Sequence, residues 1–334
     1  MTQPQSTNLI LRSEDFSSAT WTKVNCSITS NQAISPDGTL NADLLTVTGL
    51  SGRVIQNVTY SAGVNTGSVF IKSSLITDSL MRLFDGTTTF TLSLFWVDGV
   101  PSLNSNGGDS YSIVNYGNDW YRISMSVTAS AGAGNMQLYI NGFNSDQSAY
   151  YWGAQLEELS YPTTYIPTSG ATATRLADVI TGAGSTSSIN SEEGVLFVEI
   201  EAFEDPITVG AAGINIALSD GTINNSIKIE YYIDGLIYAQ YRVGGSLTGS
   251  TSSSITQNSM NTVAFKWKVN DFELYINGAS VATDVSGAVT AANVMNTLEF
   301  ARGNGSSNLF YGKTKQLRVY SSIADAQIDL PYIT

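Results

Sequence analysis

Residues 149–159 read AYYWGAQLEEL. Three adjacent aromatics, a glycine and a pair of glutamates admit two readings: a sugar-binding or catalytic surface, or one strand of a β-sandwich. Side chains alternate across a strand. Tyr150, Trp152, Ala154 and Leu156 therefore share one face, and Tyr151, Gly153, Gln155 and Glu157 share the other. Ala154 and Leu156 offer nothing polar, which sends the first set to the core and makes Trp152 an anchor there. Tyr151 and Gln155 are expected outside.

The same period organises the rest of the chain. β-Branched and aromatic runs at 8–13, 42–48, 53–60, 68–74, 80–85, 90–97, 110–115, 120–128, 136–141 and 150–157 are separated by Gly, Asn, Asp and Ser turns. Runs resume at 195–202, 214–219, 226–233, 236–243, 262–269, 272–277, 297–301 and 312–320. Such spacing predicts an all-β protein of two antiparallel β-sandwiches of jelly-roll type. The boundaries expected are a first sandwich over 1–165, a Pro/Ser/Thr/Gly-rich linker over 166–191 and a second sandwich over 192–334. Asn277-Gly278 is a strong hairpin signal, because both residues tolerate positive φ. A short helical turn is expected at 324–328.

Alternation also exposes a set of polar and aromatic side chains. In the strand at 120–127, Tyr121, Ile123, Met125 and Val127 form the apolar face, leaving Trp120 and Arg122 on the other. Tyr139 and Lys72 face outward by the same count. Lys72, Trp120, Arg122, Tyr139, Tyr151 and Gln155 are thus the candidate glycan-binding residues. Aromatic rings stack on the apolar face of a pyranose, and Arg and Gln supply planar hydrogen-bonding forks. The competing reading is that these side chains cover the sheet or pack on a neighbouring subunit.

Bulk composition narrows the function. The 334 residues include 42% hydrophobic and 13% charged residues, with a formal net charge of −13. An acidic surface repels phosphates, so nucleic acid is not an expected partner. The absence of histidine removes the usual general base, the Ser-His-Asp triad and most zinc sites. The one cysteine, Cys26, has no disulfide partner within the chain and reads as a small buried hydrophobe. No apolar run approaches about 20 residues, so no membrane insertion is expected. The opening MTQPQSTNLI lacks the basic start and apolar run of a signal peptide.

Acidic residues were weighed as catalysts. EIEAFE at 199–204 resembles the ExDxxE signature of laminarinase-like glycoside hydrolases, in which two carboxylates flank the scissile bond. Here Glu occupies the middle position, the motif falls on the second domain's first strand, and cleft-lining aromatics near it are missing. Glu199 and Glu201 read better as the solvated face of a strand, and no enzyme activity is expected. Asp220, Asp234, Asp271 and Asp284 fall in turns, where Asp bonds its own backbone. A calcium ion could use such groups, but no spacing demands it, and no cofactor is expected.

Four ordered stretches carry a family resemblance: NLILRSEDFSSATWTK, ISPDGTLNADLL, GNDWYRISMSVTA and YYWGAQLEELSYPTTYIPTSGATATR. Together, over about 8–178, they resemble the N-terminal, carbohydrate-binding-module-like jelly roll of phage tail and virion-surface proteins. NTVAFKWKVNDFELYINGASV and YGKTKQLRVYSSIADAQI are similar to laminin-G-like, concanavalin-type sandwiches. The resemblance implies a structural protein of the virion, assembled in the host cytoplasm and released by lysis. Its implied partners are other virion proteins and host surface polysaccharide, and analogy implies a homo-oligomer, a trimer in many fibres. The polar arm 2–7 is expected to be available for threading along a neighbour. The leading reading is host adhesion through glycans. A purely structural capsid-decoration or tail role is the alternative, and a glycan depolymerase using Glu199, Glu201 and Glu204 is the third.

Overall fold

Gly, Asn and Ser turns break the chain into short strands, and a computed structural model describes residues 1–140, 147–203, 213–256 and 259–323. The expected helical turn at 324–328 lies outside the described residues. The chain divides into two units, Gln5–Leu176 and Met1–Pro4 with Ala177–Thr334. Every strand pair among the described residues is antiparallel.

The first unit is a sandwich of two six-stranded sheets. One has the spatial order Ser110–Gly117, Trp120–Ala129, Gly63–Leu75, Ser148–Glu157, Leu40–Val47, Cys26–Ile34. The other has the order Thr22–Val24, Gly52–Tyr60, Gly132–Ile140, Asp78–Phe84, Thr89–Val97, Val100–Asn106. Sequence neighbours often lie in opposite sheets, as jelly-roll connections require. The core between the sheets takes alternate residues from each, including Val54, Leu83, Leu138, Ile123 and Met125. Ser6–Asn8 pairs with Ala173–Arg175 and ties the unit's two ends together.

The second unit pairs two five-stranded sheets. Their orders are Ala279–Asp284, Phe272–Ile276, Asn261–Lys268, Glu193–Ala202, Gly312–Tyr320 and Ser246–Ser254, Leu236–Val243, Ser226–Tyr231, Ile214–Ser219, Thr297–Glu299. Leu196, Val198, Ile200 and Ala202 point into its core, as alternation predicts. The Asn277-Gly278 hairpin has φ of 49° and 80° at its central residues, the positive pair that this two-residue turn needs.

Two expectations are corrected. Residues 166–176 are not linker: Ile166 and Thr168 are buried and Ala173–Arg175 is a strand, so this stretch belongs to the first unit. The N-terminal arm is not free to thread along a neighbour. Thr2 exchanges backbone hydrogen bonds with Gly312, 2.9 Å each way, and Gln3 accepts one from Asp178 N at 2.9 Å.

The strand Ser148–Glu157 departs from strict alternation, for a local reason. Trp152 pairs with Phe70, but Gln155 pairs with Ser68, so one extra residue sits between them. That is a β-bulge. Gly153 occupies it with φ of 65°, and a Cβ there would lie 2.9 Å from the Phe70 ring. Parity flips across the bulge: Ala149, Tyr151, Ala154 and Leu156 all enter the main core. Trp152 is buried too, but on the opposite face, with Ala42, Phe70 and Trp120.

Asp85 closes a turn in the same unit. Its carboxylate accepts the backbone N–H groups of Thr87, Thr88 and Ser130 at 2.7–2.9 Å. Burial opposes the charged form, but these bonds outweigh it and hold the pKa at about 2.

Gly153→Ala is expected to destabilise the protein by about 1–2 kcal/mol from the left-handed backbone alone, and further through Phe70, read as a lower urea midpoint. Because the folded pKa of Asp85 lies below its ordinary 3.8, its stabilisation is full above about pH 4 and fades as pH falls towards 2. Urea midpoints should drop across that window, and less steeply in Asp85→Asn.

Candidate functional site

Five of the six residues expected on an open face are buried. Trp120, Arg122, Tyr139, Tyr151 and Gln155 are each 5% exposed or less. Tyr151 lies in the core because the bulge turns it inward, and its hydroxyl donates to Tyr139 O at 3.1 Å. Trp120, Arg122 and Gln155 do sit on the outer sheet face, but the chain that follows this sheet's Ser148–Glu157 strand folds back across them. Arg122 Nη1 donates to Thr163 O at 2.6 Å, and Gln155 Oε1 accepts Ile166 N at 2.7 Å. The Tyr165 ring packs on Trp152, with centroids 4.4 Å apart. Trp120 Nε1 donates to Ile34 O at 2.9 Å. Lys72 alone stays half-exposed, with Nζ 2.8 Å from Asn118 O and 3.4 Å from Asp119 Oδ2.

Tyr139 lies on the other sheet's outer face, between two guanidinium groups. Arg82 is 4.6 Å and Arg53 5.2 Å from its ring centroid. Its hydroxyl accepts from Arg82 and donates to Gln137. The ring is thereby covered and cannot stack on a sugar.

The acidic strand is ion-paired. Glu199 meets Lys315 at 2.7 Å and Glu201 meets Lys313 at 2.9 Å, both across the pairing with Gly312–Tyr320. Glu204 lies outside the described residues. Asp220, Asp234 and Asp284 cap turns through Thr222, Leu236 and Ser286, and Asp271 pairs with Lys266. Among the described residues, no cluster of three His, Cys, Asp or Glu side chains could hold a metal.

The site that sequence reasoning missed lies in the second unit. The hairpin Ser226–Tyr231/Leu236–Val243 sends Ile227, Ile229, Tyr231, Ile237, Ala239 and Tyr241 inward. The opposite parity turns Lys228 and Glu230, Tyr238, Gln240 and Arg242 out. Cross-strand register sets Lys228 beside Gln240 and Glu230 beside Tyr238. With Tyr232 and Arg302 they line a cavity of about 330 Å³.

Its floor is preorganised. Lys228 and Glu230 are nearly buried and form a hydrogen-bonded ion pair. Burial lowers the Lys228 pKa; Glu230 opposes that, while Arg302 and Arg242 add to it. Tyr232 and Tyr238 meet edge to face at 5.6 Å, and Asp234 holds the Tyr238 hydroxyl at 2.7 Å. The carbonyl oxygen of the Gln240 side chain is sheltered yet has no hydrogen-bond partner among the described residues. The flanking edge strand adds Ser250 and Ser252, in register with Gln240 and Tyr238. Aromatic edges, an orphan acceptor, a carboxylate and guanidinium donors can together bind a polyhydroxylated ligand. A larger groove of about 590 Å³ in the first unit, around Leu9, Leu11, Phe84 and Asn135, has no charged side chain in its lining.

No known protein family matches the chain. No curated protein matches it either. Among solved structures it is similar to the CBM40 of Ruminococcus gnavus IT-sialidase bound to alpha2,3 sialyllactose, at 16% identity and a TM-score of 0.37, over 47% of this chain and 96% of that one. It is also similar to sheep galectin-11 in complex with glycerol, at 10% identity and a TM-score of 0.29, over 43% and 99%. Domains LG4-5 of the mouse laminin alpha1 chain give 11% identity and a TM-score of 0.29, over 96% and 90%. At this level the likeness is confined to the all-β sandwich.

Trp120→Ala and Tyr151→Ala are expected to lower unfolding stability by about 3–5 kcal/mol each, the cost of emptying a large core site. Lys72→Ala should stay within about 0.5 kcal/mol. Denaturant titration separates the two classes.

Proposed function

We propose that this protein is a non-enzymatic glycan-binding component of a phage virion surface, and that the Lys228–Arg302 cavity is where the glycan sits. The observation that carries the glycan reading is the cavity itself, on a sheet face rich in hydroxyl and amide groups. Lys228 and Glu230 hold each other there, Asp234 holds the Tyr238 hydroxyl, Tyr232 stands beside it, and one buried acceptor lacks a partner among the described residues. The virion assignment is supported by the four ordered motifs of the first sandwich, among them the PDGT turn. In that turn Asp37 accepts Ser35 Oγ and Thr39 N, and Gly38 supplies φ of 88°. One shallow site binds weakly, and copies arrayed on a particle gain avidity through effective concentration. The net negative charge favours solubility of such a crowded surface.

One observation favours the alternative, a purely structural role. The hairpin Thr89–Val97/Val100–Asn106 exposes Phe95, Val97, Val100 and Leu103 at a sheet edge. An apolar edge of this kind suits contact with a neighbouring virion subunit.

A glycan array probed with the whole chain is expected to give specific hits. Tyr238→Ala should weaken the best hit roughly tenfold, a typical loss for an aromatic contact residue, while the urea midpoint stays put. An array without hits would remove the glycan reading. Electron microscopy of the assembled particle would show whether Tyr232 and Tyr238 face solvent, as adhesion requires, or a neighbouring subunit.

A further inference from the structure

Charge is distributed unevenly over this protein. It has 28 acidic and 15 basic residues, yet the cavity in the second unit is lined by three cations, Lys228, Arg242 and Arg302, against a single carboxylate, Glu230. Glu230 is already taken by Lys228. Other acids on this sheet and its turns are also engaged. Glu299, on the edge strand Thr297–Glu299 beyond Ile214–Ser219, accepts Gly305 N at 2.8 Å. Asp234 holds Leu236 N and the Tyr238 hydroxyl, and Asp220 holds Thr222 and Asn225.

The two arginines are left without a carboxylate partner among the described residues. Among the described residues, the Arg242 side chain makes one hydrogen bond, to Gly245 O at 3.2 Å, and Arg302 makes none through its guanidinium. Both guanidinium groups lie near enough to Lys228 to depress its pKa. Gathering three cations in one partly sheltered cavity is unfavourable by itself. It becomes favourable when an anion completes the set.

We infer that the cavity is built for an acidic glycan, with Arg242 and Arg302 receiving a sugar carboxylate while the tyrosine end receives a neighbouring sugar ring. This rests on the glycan-binding reading and narrows it. A carboxylate is planar and presents two oxygens, which matches the guanidinium fork better than it matches an ammonium. Position separates the two functions. Arg242 pairs with Ser226 at one end of the hairpin, and Tyr238 pairs with Glu230 four residues along. Four residues of strand span roughly 13 Å, more than one sugar ring covers. Between the ends, Gln240 Oε1, in register with Lys228, accepts a hydrogen bond from a sugar hydroxyl. The ligand is therefore a charged oligosaccharide rather than a lone acid.

The test uses the whole chain, a panel of neutral, carboxylated and phosphorylated oligosaccharides, and the variants Arg242→Gln and Arg302→Gln. These arginines are only partly buried, so both variants should fold with an unchanged near-ultraviolet spectrum. Carboxylated members are expected to bind best. Each substitution should weaken them roughly tenfold or more, the loss for a hydrogen bond to a charged group, and weaken neutral members far less. Chemical reduction of the carboxyl groups to alcohols should weaken a hit to the same extent, with little further effect of either variant. If neutral glycans bind equally well and reduction changes nothing, the acid-sugar inference is wrong while glycan binding stands. If only phosphorylated members bind, the carboxylate assignment is overturned. If no member binds, the glycan reading falls and this inference with it.

Discussion

The first sandwich hinges on one buried carboxylate. Glu157 has no solvent exposure. It accepts hydrogen bonds from the Ser6 hydroxyl at 2.7 Å, from Thr163 N at 3.0 Å and from the Thr163 hydroxyl. An unpartnered charge in that position would cost several kcal/mol. Three donors offset the cost only if the N-terminal strand and the chain after Glu157 both come to it. The same return segment then engages Arg122 and Gln155. These outer-face polar groups are therefore structural, and they fix where the chain goes after the last large strand.

Much of this was legible in the sequence, and the failures have physical causes. Inward residues of the long strands follow alternation because one face of each is buried. Strands absent from the sequence reading include Thr22–Val24, Cys26–Ile34, Val100–Asn106, Ser246–Ser254 and Ala279–Asp284, and each of them is a sheet edge. Edge strands are half-solvated, so Ser, Thr and Asn replace the apolar alternation that marks a central strand. Parity failed at Tyr151 because a bulge adds one residue, and the only local sign was Gly153. The stretch 166–176 looked like a linker by composition. Its proline and threonines instead suit an extended cover whose backbone bonds to side chains beneath it.

The two outer faces show why residue type alone does not announce a binding surface. Trp120, Arg122 and Gln155 have the same chemistry as Tyr238, Arg242 and Gln240. The first set is roofed by a later segment, and the second lines a cavity. Alternation in SIKIEYYIDGLIYAQYRV does carry a signal. Two strands each place three polar or charged residues on one face, opposite three apolar ones. Such symmetry across a short hairpin marks a face whose polar groups converge, whereas isolated outward aromatics do not.

The backbone bridge between Thr2 and Gly312 joins residues 310 positions apart in sequence. During synthesis, all residues of the first sandwich are available once Leu176 has emerged. Assembly of the other must await Gly312, and until then Thr2 lacks its backbone partner. The order of maturation is therefore written into the topology: whichever surfaces the second sandwich presents are completed last, when Gly312 meets Thr2.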